Sequence, residues 1–248
     1  MKNWLVLEQI SKTYYKEKLF KSKEKIDGGL KPLSFCVSEE IVGILGESGS
    51  GKTTLAKLIA GIEKPDKGSG KVVLKLGELP KEKNPVSMIF QDYVSAINPE
   101  FTVEKALLES ISGKNKKVES KEKIIAILNK VGLSEELLDK KPRKLSGGQI
   151  QRICIARSIL TEAKVLIFDE AFSSLDLVNV DRLLELLNNL KKEFNLYYIV
   201  VTHNLEVATY FCDKLIFLKE GHLEEVIETS RLMHTKSSYV QALIDAQI

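Results

Sequence analysis

The apolar residues of the chain fall into short runs separated by turn-forming and charged residues, a pattern typical of buried strands. The runs predict strands at residues 5–10, 33–37, 41–45, 72–76, 86–90 and 165–168. Two further runs, 214–218 and 222–227, flank Glu220 and Gly221, and this arrangement predicts a β-hairpin. The first two strands are expected to form an antiparallel layer at the N-terminal end of the chain.

Other segments have helical periodicity. Helices are predicted at residues 54–61, 103–112, 121–131, 134–139, 148–160 and 239–246. Ser146 stands just before the fifth of these and is a residue type that caps helices. Residues 16–31 hold six lysines against three acids. This composition predicts a solvated hairpin loop, with a specific basic patch as the alternative.

Length and composition are those of a globular protein. A chain of 248 residues with 44% hydrophobic residues can form one large α/β core. The longest apolar run is far shorter than the roughly 18–20 residues of a membrane-spanning helix. The N-terminal apolar stretch is too short for a signal peptide, so the chain is expected in the cytosol. A net charge of +3 is too small to argue for a nucleic-acid partner.

Three cysteines complete the compositional picture. Cys36, Cys154 and Cys212 are widely spaced, lie among apolar residues and lack the spacing of a metal site or a CxxC pair. They are predicted to be reduced packing residues.

Residues 46–54 carry the first chemical signal. They read Gly-Glu-Ser-Gly-Ser-Gly-Lys-Thr-Thr and fit the phosphate-loop pattern G-x-x-x-x-G-K-[ST]. A strand, a glycine-rich turn and a helix start aim backbone N–H groups and the helix dipole at a polyphosphate. Lys52 is expected to reach the β- and γ-phosphates of a nucleoside triphosphate, and the Thr53 hydroxyl to ligate Mg²⁺. The predicted nucleotide contacts within the loop are Gly46, Glu47, Ser48, Gly49, Ser50, Gly51, Lys52, Thr53 and Thr54.

A second segment ends a predicted strand with two carboxylates, Asp169 and Glu170. Ligands of parallel α/β sheets bind at the C-terminal edge of the strands. Asp169 is therefore placed to hold Mg²⁺ through water, and Glu170 to polarise the attacking water. An apolar strand that ends in two acids is common, so this interpretation depends on the motifs that accompany it.

One such accompanying motif is the LSGGQ segment, which consists of Leu145, Ser146, Gly147, Gly148 and Gln149. Together with the phosphate loop and the acid pair, it resembles the ATP-binding subunits of ABC transporters, and the resemblance covers nearly the whole chain. It implies that Gln91 is the Q-loop glutamine, which senses Mg²⁺ and the γ-phosphate. It also implies that Asp176 lies in the D-loop and that His203 is the switch histidine.

The resemblance further implies that Tyr14 stacks on adenine, with Tyr15 as an open alternative. Taken alone, Tyr14 fits a half-buried strand residue, Gln91 a surface amide and His203 a histidine at a strand end. The complete set, in the family's order, carries the interpretation.

The fold that the resemblance implies is a P-loop NTPase of the α/β class. A RecA-like core at about 1–91 and 145–248 would carry an N-terminal antiparallel β layer. A helical subdomain at about 92–144 would touch the membrane subunits, and the whole chain, 1–248, would be a single ABC ATP-binding domain. The implied catalytic residues are Glu170, His203 and Gln91, and Mg²⁺ would be held by Thr53, Gln91 and Asp169.

The implied mechanism needs two ATP-binding chains. In the family, the LSGGQ segment of one subunit closes over the γ-phosphate held by the other. Residues 145–149 and Asp176 are therefore expected to contact ATP of the opposite subunit. The implied partners are a second, different ABC ATPase subunit, two membrane permeases and an extracytoplasmic substrate-binding protein. The chain would work at the cytoplasmic face of the cell membrane, as a peripheral subunit.

Local segments favour one group of importers. Residues 90–103 and the tail at 238–243 resemble importers of the dipeptide, oligopeptide and nickel group. Residues 170–178 resemble the nickel-importing members, including those that take up metals bound to opine-like chelators. Metal or metal-chelate uptake is thus predicted, with peptide uptake as the alternative. A soluble ABC ATPase, an exporter subunit and a non-catalytic regulatory module fit the sequence less well.

Two positions depart from the family pattern. Ala171 follows the acid pair where many members have Pro, and Asn204 follows the switch histidine where Asp is usual. Neither change removes a catalytic group, but Asn204 is expected to alter how the histidine loop is held.

Overall fold

The structure is a computed structural model that describes residues 3–17, 23–77, 84–93, 95–111, 117–173 and 177–247. Contacts between Cα atoms divide the chain into two compact units, Met1–Glu78 with Tyr198–Ile248, and Leu79–Tyr197. Each unit contains both strands and helices, in agreement with the predicted α/β class. The segment 92–144, predicted to be a helical subdomain, lies within the second unit.

The regular elements follow one another along the chain in a mixed order. The strands are β1 Leu5–Glu17, β2 Lys23–Val37, β3 Ile41–Leu45, β4 Lys71–Leu74, β5 Val86–Phe90, β6 Val165–Asp169, β7 Tyr197–Val201, β8 Lys214–Lys219 and β9 His222–Glu228. The α-helices are α1 Lys52–Ile59, α2 Val103–Leu108, α3 Lys117–Lys130, α4 Gly147–Leu160, α5 Leu177–Phe194, α6 Leu205–Phe211 and α7 Ser238–Gln247. Short 3-10 helices occupy Glu135–Leu137, Pro142–Lys144 and Thr229–His234.

In the first unit, β1 lies between β2 and β4 in an antiparallel sheet. Leu5 pairs with Val37 on one side and with Leu74 on the other. Leu5, Leu7 and Ile10 are fully or almost fully buried. The predicted antiparallel layer is therefore confirmed.

The same unit contains the strand order β7-β3-β8-β9. β3 runs parallel to β7 and β8, and all five of its residues are buried, which explains its unbroken apolar sequence. Ile44 pairs with Val201, so the chain leaves β3 and β7 at the same edge. That edge carries the phosphate loop after β3 and His203 after β7.

In the second unit, β5 and β6 pair in parallel, and α4 packs on α2 and α3. Leu107, Ile124, Leu128 and Ile153 lie fully buried among these helices. Burial of each such side chain stabilises the fold by about 1.5–3 kcal/mol.

The prediction of a loop at residues 16–31 is wrong for much of its length. β1 continues to Glu17 and β2 begins at Lys23, with Tyr14 paired to Ile26. Pairing between the two strands uses the backbone N–H and C=O groups, which every residue except proline has. A high density of charged side chains therefore does not prevent the strands from continuing.

Two other predictions need correction. The helix at 103–112 ends at Leu108, and α3 begins at Lys117 rather than at 121. Cys36 is exposed, not a packing residue, because alternation along β2 turns it outward next to the buried Val37. Cys154 and Cys212 are buried, as predicted.

Candidate active site

The phosphate loop connects β3 to α1 through backbone that only glycine adopts easily. Gly46 has φ 148° and Gly51 has φ 98°. A Cβ atom at Gly46 would lie 2.1 Å from the carbonyl oxygen of Leu218, and one at Gly51 would lie 2.6 Å from a methyl group of Leu30. Both positions therefore exclude larger residues, and the sequence pattern G-x-x-x-x-G follows from the packing.

Lys52 is the first residue of α1, and its side chain contacts the phosphate loop. Its ammonium donates hydrogen bonds of 2.8 Å to the carbonyl oxygens of both Gly46 and Glu47, and the residue is only 7% exposed. The backbone N–H groups at the start of α1 have no helical partners. An ammonium and a helix N-terminus at one loop fit the charge and the acceptor oxygens of a polyphosphate.

A cavity of about 500 Å³ lies beside the loop. Lys12, Lys31 and Lys219 line it, together with Glu47 and Glu220. The lysines give this cavity a net positive charge, which favours an anionic ligand.

Tyr14 lies close to α1. Its hydroxyl donates a hydrogen bond to Glu63 and lies 3.4 Å from the hydroxyl of Thr54. Burial raises the pKa of Tyr14, and the bond to Glu63 raises it further. The ammonium of Lys12 lies 5.5 Å from the ring centroid. Tyr15 is instead 57% exposed, so the two candidates for adenine stacking occupy different environments.

His203 is exposed and lies at the end of β7, beside a cavity of about 130 Å³ that Gly46, Glu47 and Leu243 also line. Asn204 caps α6, since its side chain accepts the N–H of Val207 at 2.9 Å. Asn and Asp are equally good N-caps, so the departure from Asp at this position leaves the helix start held in the ordinary way.

The second unit carries the acid pair. Asp169 ends β6, pairs with Phe90 of β5 and is 7% exposed. This register brings Gln91 and Glu170 out at the same edge of the β5–β6 pair. Glu170 has φ 54°, a left-handed conformation that is uncommon for a residue with a side chain. Such outliers cluster at functional sites.

A chain of hydrogen bonds connects these residues. The Ser173 hydroxyl donates to the carbonyl oxygen of Glu170 at 2.8 Å, and the Gln91 amide donates to the Ser173 hydroxyl at 3.2 Å. Gln151 of α4, which is buried, donates to the carbonyl oxygen of Ala171 at 2.8 Å. The loop after β6 is thus fixed from both sides, and Ala171 makes its contact through a carbonyl group that Pro would also possess.

The LSGGQ segment begins α4. Ser146 is the N-cap and exchanges two hydrogen bonds with Gln149 in a capping box. Ser146 and Gly147 are exposed, while Leu145, Gly148 and Gln149 are half-buried. The segment therefore presents a hydroxyl and a helix N-terminus at the protein surface.

The remaining predicted residues are placed as follows. Glu47, Ser48 and Gly49 form the exposed part of the phosphate loop, and Thr53 is exposed. Ser50 is buried, and its hydroxyl has no hydrogen-bond partner among the described residues. Asp176 lies outside the described residues.

Besides Leu30, three residues that the sequence did not assign to the site contact the phosphate loop. The N–H of Gly221 donates to the carbonyl oxygen of Ser50, Leu218 borders Gly46, and the Tyr239 hydroxyl accepts the N–H of Glu47. The sequence signal for Gly221 was the predicted turn at Glu220 and Gly221. The sequence signal for Tyr239 was the resemblance of the tail to known importers.

Among the described residues, no group of three or more His, Cys, Asp or Glu side chains could hold a metal ion. No helix in the described part of the chain combines the length and the apolar character that a bilayer crossing requires.

Comparison with known proteins agrees with this geometry. The profile of the ABC transporter family matches residues 30–173. The metal-staphylopine import system ATP-binding protein CntF of Staphylococcus aureus (strain Mu50) is 41% identical, over 96% of this chain and 97% of that protein. The nickel import ATP-binding protein NikE of Escherichia coli O6:K15:H31 is 37% identical, over 83% of this chain and 80% of that protein.

A solved structure is similar in fold and sequence. The ATP-binding cassette MJ0796, as a dimer in a post-hydrolysis state bound to ADP and Pi, superimposes with a TM-score of 0.72 and 27% identity. The match covers 91% of this chain and 98% of that one.

Proposed function

The chain belongs to the ABC transporter family of ATP-binding subunits, and from that premise we propose that it hydrolyses ATP to power the import of nickel, another transition metal or a metal chelate. The observation that carries the proposal is the Lys52 ammonium, held 2.8 Å from two carbonyl oxygens of the phosphate loop at the start of α1. An ammonium beside the backbone N–H groups that begin α1 favours a phosphate as its ligand.

We assign the triphosphate to the loop and to Lys52, which neutralises charge on the β- and γ-phosphates. Mg²⁺ bound with ATP would be held by the Thr53 hydroxyl, by Gln91 and, through water, by Asp169, and would supply further positive charge at the phosphate oxygens. Tyr14 is the proposed adenine platform.

Glu170 is the proposed general base. Its left-handed backbone turns the chain sharply at the strand end, and the Ser173 hydroxyl holds its carbonyl oxygen. The carboxylate would accept a proton from the attacking water, while Gln91 and His203 would contact the γ-phosphate and its water. Hydrolysis removes the γ-phosphate and with it the contacts that hold the closed state.

The second half of the proposal concerns assembly. Residues 145–149 and Asp176 would close over ATP held by a second ATP-binding subunit, and Ser146 would donate to its γ-phosphate. The exposed position of Ser146 and Gly147 supports this role. Two permeases and an extracytoplasmic binding protein would complete the importer, and the segment 92–144 would contact the permeases at the cytoplasmic face of the membrane.

Metal uptake is favoured over peptide uptake by the two relatives with 41% and 37% identity, which are named for metal-staphylopine and nickel import. Peptide uptake is the second candidate, since the residues around Pro99 and the tail around Tyr239 resemble importers of both kinds.

Deletion of the gene distinguishes metal uptake from peptide uptake. Cells are starved of metal, accumulation of labelled nickel, cobalt and zinc is measured, and growth on peptides as the amino-acid source is followed in parallel. The metal proposal predicts lost metal accumulation with normal growth on peptides. Normal metal accumulation with lost growth on peptides would contradict it and support the alternative.

A further inference from the structure

The C-terminal helix α7 contacts the phosphate loop through the hydroxyl group of Tyr239. The Tyr239 hydroxyl accepts the backbone N–H of Glu47 at 3.2 Å and lies 3.4 Å from the carbonyl oxygen of Leu218, to which it donates. A tyrosine hydroxyl has one proton to donate and lone pairs to accept, so it can make both bonds at once. Tyr239 thereby joins the phosphate loop to the end of β8.

The geometry around Leu218 makes this contact restrictive. Gly46, the residue before Glu47, packs so closely that a Cβ atom would lie 2.1 Å from the Leu218 carbonyl oxygen. Two successive residues of the loop are therefore set against the same carbonyl group, one by close packing and one through Tyr239. The first peptide of the loop has little freedom to rotate.

The environment of Tyr239 fixes the hydroxyl in turn. The residue is 9% exposed, and the Lys219 ammonium lies 4.9 Å from the centroid of its ring. Leu243 follows four positions later on the same face of α7, and it lines the small cavity beside Glu47 and His203. One face of α7 thus borders two segments of the candidate site.

We propose that Tyr239 is a positioning residue for the phosphate loop, and that α7 sets nucleotide affinity through it. This inference rests on the proposed nucleotide-binding function. The N–H of Glu47 donates to Tyr239 and therefore fixes the start of the loop. The N–H groups later in the loop can then converge on phosphate without first being ordered, which is the advantage of preorganisation.

The test uses the full chain and compares two variants of neighbouring residues in α7. Tyr239→Phe removes one oxygen atom and keeps the ring. Val240→Ala creates a cavity at a fully buried position and leaves the hydroxyl in place. Measurements are ATP affinity by equilibrium titration, hydrogen exchange of the Glu47 amide by NMR, and thermal unfolding.

Tyr239→Phe is expected to weaken ATP binding about three- to tenfold, as the loss of one hydrogen bond predicts, and to speed exchange of the Glu47 amide. Val240→Ala is expected to lower the unfolding temperature while ATP affinity and Glu47 exchange stay at wild-type values. Unchanged ATP affinity in Tyr239→Phe would overturn the inference. So would equal losses of affinity in the two variants, because they would show an effect of stability alone.

The wild-type chain separates this inference from the proposed function. Failure of the wild-type chain to bind ATP would contradict the proposed function itself. Unchanged Glu47 exchange in Tyr239→Phe would overturn the positioning contact whatever the wild-type affinity is.

Discussion

Ser146 and Gln149 exchange two hydrogen bonds at the start of α4. The Ser146 hydroxyl accepts the N–H of Gln149 at 3.3 Å, and the Gln149 side-chain oxygen accepts the N–H of Ser146 at 2.9 Å. The cap uses the hydroxyl as an acceptor only, which leaves its proton able to donate to another group. Capping the helix and donating to phosphate are therefore two separable properties of Ser146.

Substitution at Ser146 can separate these properties. Ser146→Asp keeps a good N-cap, so the free energy of unfolding is expected to stay within about 0.5 kcal/mol of wild type, whereas Ser146→Ala should lose about 1 kcal/mol. The aspartate should nevertheless abolish ATP hydrolysis by the assembled importer, since its charge repels the γ-phosphate. Chemical denaturation measures the free energy of unfolding, and an ATPase assay measures hydrolysis by the importer. An active Ser146→Asp importer would contradict the proposed role.

The same variant shows which ATP molecule Ser146 serves. In an importer with Ser146→Asp in this chain alone, we expect loss of nucleotide trapped by the partner ATPase and retention of nucleotide trapped by this chain. Photolabelling with a radioactive azido-ATP in the presence of vanadate, followed by separation of the chains, measures each. Loss of label from this chain alone would mean that Ser146 acts on its own subunit's ATP.

Alanine substitutions distinguish Tyr14 from Tyr15 as the adenine platform. Tyr14 is fixed beside α1 by Glu63 and Thr54. Tyr14→Ala is expected to weaken ATP binding by about 1–3 kcal/mol, the usual value of base stacking on an aromatic ring, and Tyr15→Ala to leave it unchanged. Titration with inorganic triphosphate is the control, because it has no base and should bind both variants like wild type. The opposite ranking of the two variants would assign stacking to Tyr15.

Thiol labelling tests the placement of the cysteines. Cys36 is exposed, whereas burial raises the pKa of Cys154 to about 11 and keeps its thiol protonated near neutral pH. Because the thiolate is the reactive form, iodoacetamide at pH 8 should modify Cys36 rapidly and the other two only after unfolding. Mass spectrometry of the native and unfolded chain reads the sites. Modification of Cys154 as fast as that of Cys36 in the native chain would contradict the structure.

The sequence predicted β3 and β5 at the observed bounds because each is a short, mainly apolar run. Ser146 was identified as a cap from its residue type. Each of these features is encoded within a few adjacent residues.

Features that depend on distant parts of the chain were missed. The extension of β1 and β2 depends on pairing between residues such as Tyr14 and Ile26, which no local pattern reveals. The contact between Tyr239 and Glu47 joins residues that are far apart in the sequence. Helix α5 was also absent from the predicted helices, but for another reason. Leu183, Leu187 and Leu190 are buried at helical spacing, so a local signal for this helix was present in the sequence and was overlooked.

Glu170 carries the central claim that hydrolysis at this chain drives metal uptake. Glu170→Gln keeps the shape of the side chain but cannot accept a proton from water. Turnover of ATP should fall at least about 100-fold, the contribution typical of a general base, while ATP affinity should stay near wild type. Glu193→Gln is the matched control, because Glu193 forms an exposed ion pair with Lys130 that contributes little.

The most direct measurement is the accumulation of labelled nickel in the deletion strain after complementation with wild type, Glu170→Gln or Glu193→Gln. The account predicts that wild type and Glu193→Gln restore accumulation and that Glu170→Gln, expressed at the same level, does not. Restoration of nickel accumulation by Glu170→Gln would contradict it.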